Sequence, residues 1–193
     1  MASAFTHAIV GVALAQAAKP SWRSKWSFWC WIIFCSVLPD IDVIGFRFGI
    51  RYGDVWGHRG MTHSLLFAAI TGIVISTFYL NSWYERSKLA LLLFVVTASH
   101  GLLDALTNGG LGVAFFSPFN LKRYFFAWRP IWVSPLAASR FFSARGLAIL
   151  WTEIQWIWLP ALLTGALLYA VGRWQRGRTQ ENAKAGCASV ARR

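Results

Sequence analysis

Five apolar stretches, separated by short polar or basic segments, set the rhythm of this chain: residues 2–18, 26–46, 62–80, 88–107 and 147–172. Runs of this length predict membrane helices rather than strands, although a full span needs about 20 residues. In the second stretch Pro39 cannot donate to the preceding turn. The helix is therefore predicted to kink or end there, leaving Asp40 and Asp42 on irregular backbone. Asn108-Gly109-Gly110 is a strong stop for the fourth helix, and Pro160 predicts a kink in the fifth. The sequence A-L-A-Q-A in the first stretch resembles a signal-cleavage site, but no basic segment precedes it, so this helix is expected to stay. The segment 111–146 reads as a long polar-aromatic loop, a length that is usually functional or disordered. The fold class that follows is all-α: a polytopic membrane helical bundle of about five apolar helices. Residues 1–172 form its membrane domain, and 173–193 a basic tail expected to be disordered.

Polar residues interrupt this pattern in four places: Thr6-His7, L-P-D-I-D at 38–42, H-R-G-M-T-H-S at 58–64, and S-H-G-L-L-D at 99–104. The islands hold all four histidines and three of the seven acidic residues. If the five segments alternate direction across a bilayer, His7 begins the first and Asp40 and Asp42 end the second. His58 and His63 open the third, His100 and Asp104 end the fourth, and Glu153 lies near the start of the fifth. Random placement would put roughly half of these residues on the opposite face. All of them fall at one face.

Composition narrows the class. The chain is 56% hydrophobic and 13% charged, where a soluble domain carries about 25% charged residues. Twelve Trp and 15 Phe suit membrane interfaces. The net charge of +12 resides in loops and tail, which fits anionic headgroups; no basic helix or RNA-binding motif points to nucleic acid. Eleven basic residues fall on the tail side and eight on the island side, so the islands are expected to face away from the cytoplasm. Three cysteines without a C-x-x-C pair support neither a disulfide framework nor a zinc ribbon; Cys30 and Cys35 read as small buried hydrophobes.

Histidine with carboxylate is the ligand set of zinc, manganese and iron. His100 and Asp104, four apart on a helix, share one face, and Asp104 is either a ligand or an acceptor that orients His100. His58 and His63 need a turn around Gly60 to converge, and Thr62 or Ser64 is placed to cap the third helix. Asp40, Asp42, His58, His63, His100 and Asp104 are thus the candidate ligands for one or two divalent ions, zinc first, manganese or magnesium otherwise. Glu153, a carboxylate in an apolar span, and His7 are candidates for a catalytic base or an extra ligand; a pair with Arg145 is the bland alternative for Glu153. Arg59, Lys122, Arg123 and Arg129 lie on the same side, where they suit an anionic, lipid-like substrate. Membrane lipids are the expected partners.

These motifs together resemble the YdjM-like membrane-bound metal-dependent hydrolases of bacteria. The matching elements are T-H at His7, L-P-D-I-D, H-R-G-x-T-H-S, S-H-x-x-x-D, and E-x-x-W-x-W-L-P from Glu153 to Pro160, over roughly residues 1–170. The resemblance implies an inner-membrane metal-dependent hydrolase and leaves the substrate open. A likeness of pattern to zinc-dependent phospholipase C and related nucleases implies zinc and a phosphoester. The competing classes are a divalent-metal transporter and a non-catalytic membrane scaffold. Against transport, the third and fourth stretches are almost purely apolar beyond their island ends.

Overall fold

A computed structural model describes residues 1–18, 20–134 and 143–190, with side chains described as far as residue 178. Arg140, counted above among the basic loop residues, lies outside the described residues. Helix α1 (Ala4–Leu14) opens on Ser3, whose hydroxyl accepts from Thr6 N, and runs into a 3-10 turn at Ala15–Ala17. Short α2 (Pro20–Arg23) leads to α3 (Trp26–Val37). At Pro39 the α-helix gives way to a 3-10 helix over Leu38–Phe48, closed by Gly49 at φ 79°. Proline at the start of this segment removes a donor to the preceding turn, which is why the ladder changes here. A second 3-10 turn, Met61–His63, precedes α4 (Leu65–Tyr79). Ser64 caps α4, its hydroxyl accepting from Phe67 N at 3.1 Å, while Thr62 turns elsewhere. Helix α5 spans Trp83–Ala105 and α6 spans Ala144–Glu153. A π-helical turn at Ile154–Trp158 joins α6 to α7 (Leu159–Val190). The widened turn sits just before Pro160, where an ordinary turn would meet the proline ring.

Among the described residues no strand forms, and the architecture is the expected helical bundle. Three segments are long and apolar enough to cross a membrane: Trp26–Phe48, Trp83–Ala105 and Ala144–Arg178. Two shorter apolar helices, Ala4–Ala17 and Leu65–Tyr79, complete the five. At about 1.5 Å per residue α4 is about 22 Å long, short of a hydrocarbon core of about 30 Å. Large apolar side chains such as Ile73, Phe78, Leu163 and Leu167 remain exposed on these helices, as a lipid-facing surface requires.

Three expectations change. The tail expected to be disordered from 173 continues α7 to Val190, through Arg, Gln, Glu, Lys and Ala, which favour helix. The described part of the loop after α5 is ordered, folded on itself by bridges Thr107↔Ile131 and Val113↔Tyr124 and tied to the bundle by hydrogen bonds from Leu65 N to Phe115 O and from Phe126 N to Ala105 O. Of the two early cysteines, Cys35 is buried and Cys30 is exposed. The core divides in two. One half is apolar, built from Trp22, Phe28, Ile32, Cys35, Leu93 and Val96. The other half, where α1, the Leu38–Phe48 helix, the His63 turn and the end of α5 meet, buries polar residues beside a smaller apolar cluster of Leu103, Ile131 and Ile157.

Candidate metal centre

The third island, H-R-G-M-T-H-S, folds around Gly57 and Gly60. A Cβ at Gly57 would come within 2.1 Å of Arg51 O, and one at Gly60 within 2.3 Å of Val55 O. Arg59 between them adopts φ 63°, an uncommon conformation for a residue with a side chain. The tight turn swings His58 and His63 inward from opposite sides, and both are buried. The L-P-D-I-D segment delivers Asp40 and Asp42 on its 3-10 backbone, while α5 delivers His100 and Asp104 one turn apart.

Four ring or carboxylate atoms converge. His100 Nε2 lies 3.4 Å from Asp40 Oδ1, His63 Nε2 lies 3.8 Å from the same oxygen, and His63 Nε2 lies 3.6 Å from Asp104 Oδ2. All four of these atoms are buried; those of Asp40, His63 and His100 have no hydrogen-bond partner, and Asp104 Oδ2 meets only the Arg59 guanidinium at 2.9 Å. Buried polar atoms are almost always paired, because leaving one unpaired costs roughly 1–3 kcal/mol. Two imidazole nitrogens and two carboxylate oxygens around one point are the donor set of a divalent ion. Ligands at about 2.0–2.1 Å in a tetrahedron stand about 3.4 Å apart, so separations of 3.4–3.8 Å fit an ion with little rearrangement. Asp40, His63, His100 and Asp104 could therefore hold a metal ion.

The surroundings orient these donors. His100 Nδ1 donates to Ser36 O at 2.7 Å, which leaves Nε2 free as the inward acceptor. His63 Nδ1 lies 3.1 Å from Asp42 Oδ2. Asp42 also accepts from His58 Nδ1 at 2.7 Å, Thr62 Oγ1 at 2.6 Å and Arg59 N at 3.1 Å. Burial alone would lower the pKa of His63, but the carboxylates of Asp104 and Asp42 raise it to about 9. Asp104 is held from outside: Arg59 Nε sits 2.9 Å from Oδ2, and Ala2 N donates to Oδ1 at 2.8 Å. His7 stacks on His100 with ring centroids 3.6 Å apart, and its Nε2 is 3.6 Å from Asp104 Oδ1.

Several residues singled out in the sequence therefore take other parts. Asp42 and His58, expected as ligands, also cluster with His63. This second group could likewise hold a metal ion; without one, its contacts of 2.7 and 3.1 Å are hydrogen-bond distances and Asp42 orients both imidazoles. Glu153 is fully buried but stands apart from the four converging atoms. Its carboxylate accepts from Ser3 N, Ser3 Oγ and Thr6 Oγ1, and Thr6 Oγ1 in turn accepts from Trp158 Nε1. It anchors the start of α1 rather than facing a reacting centre, and it is not paired with Arg145. Arg59, expected at a substrate phosphate, is fully buried; besides Asp104 it donates to Gly109 O and Thr107 Oγ1. Arg123 is spent on the carbonyls of His58, Gly112, Tyr52 and Asp54. Arg129 is exposed, over the Phe125 ring. Ser36 was missed in the sequence, and no signal would have found it, since its contribution is a backbone carbonyl.

A bundle with buried histidines and carboxylates gathered at one end defines an integral membrane protein with a candidate metal centre. Residues 1–178 match the family of the YdjM inner membrane protein, and the chain belongs to that family. It is 38% identical over 146 residues to the inner membrane protein YbcI of Escherichia coli (strain K12), a match covering 75% of this chain and 82% of that protein. It is 35% identical over 95 residues to the uncharacterized protein YvsG of Bacillus subtilis (strain 168), covering 45% of this chain and 56% of that one. No solved structure matches. The location is accordingly the inner membrane.

Proposed function

We propose that this protein is a metal-dependent hydrolase of the inner membrane that cleaves a phosphoester, or another ester, of a lipid-like or membrane-adjacent substrate. One observation carries the reading: buried donor atoms of Asp40, His63, His100 and Asp104 lie within 4.8 Å of one another, and those of Asp40, His63 and His100 have no hydrogen-bond partner while Asp104 Oδ2 meets only Arg59 Nε. Zinc suits two imidazoles and two carboxylates best, with manganese or magnesium as alternatives. A divalent ion bound there would supply Lewis-acid activation of water near neutral pH. Asp42 and the Ser36 carbonyl keep Nε2 of His63 and His100 aimed inward, and Arg59 holds Asp104 in place. Asp40 is the least buried of the four, with 13% of its side chain exposed, although both its carboxylate oxygens are buried. His7, both of whose ring nitrogens lack a hydrogen-bond partner, is the group we assign to proton transfer or to a further ligand position. Glu153 is not assigned to the chemistry, because its oxygens are already occupied. The greater number of basic residues on the tail side supports a site facing away from the cytoplasm.

The test is elemental analysis of purified protein together with hydrolysis of phospholipid and phosphodiester substrates. Wild type is expected to carry metal and to hydrolyse. The H63A/H100A variant should insert normally yet carry no metal and show no activity. Full metal occupancy in that variant would end the proposal. Metal uptake into sealed vesicles without hydrolysis would favour transport instead.

A further inference from the structure

Beside the metal centre runs an apolar groove of about 400 Å³, with Leu65 and Leu102 on one side and Phe115, Phe116, Tyr124 and Phe125 on the other. It stands on the same frame as the candidate ligands. Leu65 follows directly on the turn that bears His63, and Leu102 lies on α5 between His100 and Asp104. Leu65 N donates to Phe115 O at 2.9 Å and Phe126 N to Ala105 O at 3.0 Å, so the aromatic wall is stitched to both helices. Two exposed cations sit at this wall. Lys122 Nζ is 5.7 Å from the ring centre of Tyr124, and Arg129 Cζ is 4.8 Å from that of Phe125. Both rings line the groove. Residues 105–152 contain five basic residues and no acidic one, so no carboxylate of this stretch neutralises the pair. Arg123, between them in sequence, is consumed by backbone carbonyls; Lys122 and Arg129 are exposed residues.

An apolar channel edged by two cations is complementary to a molecule with a hydrocarbon chain and an adjoining negative charge. A soluble phosphate lacks the chain, and a zwitterionic lipid lacks the net charge. We propose that the groove seats one acyl chain of an anionic glycerophospholipid, with its phosphate against Lys122 and Arg129. This deepens the reading of a lipid-borne substrate and rests on it for its purpose, although binding itself requires no hydrolysis.

The experiment titrates the full chain in neutral detergent, after metal removal, with phosphatidylglycerol and phosphatidylcholine carrying identical labelled chains. Phosphatidylglycerol is expected to bind about thirtyfold more tightly, the effect of two basic side chains at an anionic headgroup. The K122A/R129A variant should erase that preference. L102W, which fills the groove, should weaken both lipids, while I73W on the exposed face of α4 should weaken neither. Circular dichroism and gel filtration confirm that each variant is folded. Equal affinity for the two lipids, a preference surviving in K122A/R129A, or L102W behaving like I73W would each overturn the proposal. So would displacement by glycerol phosphate as effective as by the lipid, which would mark a headgroup site alone. Selective binding without hydrolysis by metal-loaded protein sinks the hydrolase and leaves the groove; hydrolysis without selective binding does the reverse.

Discussion

The two ends of this bundle are built on opposite principles. Around Phe28, Ile32, Leu93 and Val96 the core is almost wholly apolar, with Thr97 beside Cys35 as its polar exception. Around His63, His100, Asp40 and Asp104 it buries polar atoms and leaves several without partners. The first arrangement is what packing alone selects. The second is unfavourable as it stands, because each unpaired buried polar atom carries a desolvation cost that only a bound cation or proton relieves. The apolar end therefore secures the helices so that the polar end can hold an arrangement that would not persist alone.

Substitutions separate the two ends. The largest effect on stability is expected from Leu93→Ala, which empties a fully buried site and costs about 2–5 kcal/mol. Thermal unfolding in detergent measures it, and metal content per folded protein should stay unchanged; loss of metal would show that the ends are not separable. Asp42→Asn should do the converse, weakening metal binding about 10- to 100-fold by releasing His63 and His58, with a smaller loss of stability. Competition with a chelating dye reads this, and an unchanged affinity would return Asp42 to the role of an ordinary buried acceptor. Glu153→Gln tests the boundary. Its amide NH₂ would face donors from Ser3 and Thr6, so about 1–3 kcal/mol of stability should be lost with metal affinity little changed. A collapse of metal affinity would restore Glu153 to the centre. The smallest effect is expected for Ser64→Ala, about 1 kcal/mol from the lost cap of α4, visible in the melting temperature alone.

Much of the fold was legible beforehand, because apolar runs and proline act locally. The five apolar helices, the break at Pro39 and the altered turn before Pro160 all follow from backbone chemistry within a few residues. The gathering of the islands was legible too, since alternating spans leave little choice of which ends meet. Roles within the site were less accessible. Asp40 and Asp42 stand two residues apart with the same side chain, yet one aims at His63 Nε2 and His100 Nε2 while the other accepts from Nδ1 of His58 and of His63. Arg59 and Arg129 look alike in a basic loop, yet one is buried against Asp104 and the other is exposed over Phe125.

The chain's own order of residues determined that this is a membrane bundle, that His and Asp collect at one end, and that the collection is suited to a divalent ion. Periodicity, length and ligand type act through local or one-dimensional rules, so they can be read along a line. Only the tertiary structure decided which nitrogen of each histidine faces inward, which carboxylate each imidazole meets, and which arginine is exposed. Those outcomes depend on partners far along the chain: Ser36 O for His100, Asp42 for His58, and Ser3 and Thr6 for Glu153. A side chain's role follows from the direction in which its atoms point, and that direction is set when separate segments pack together.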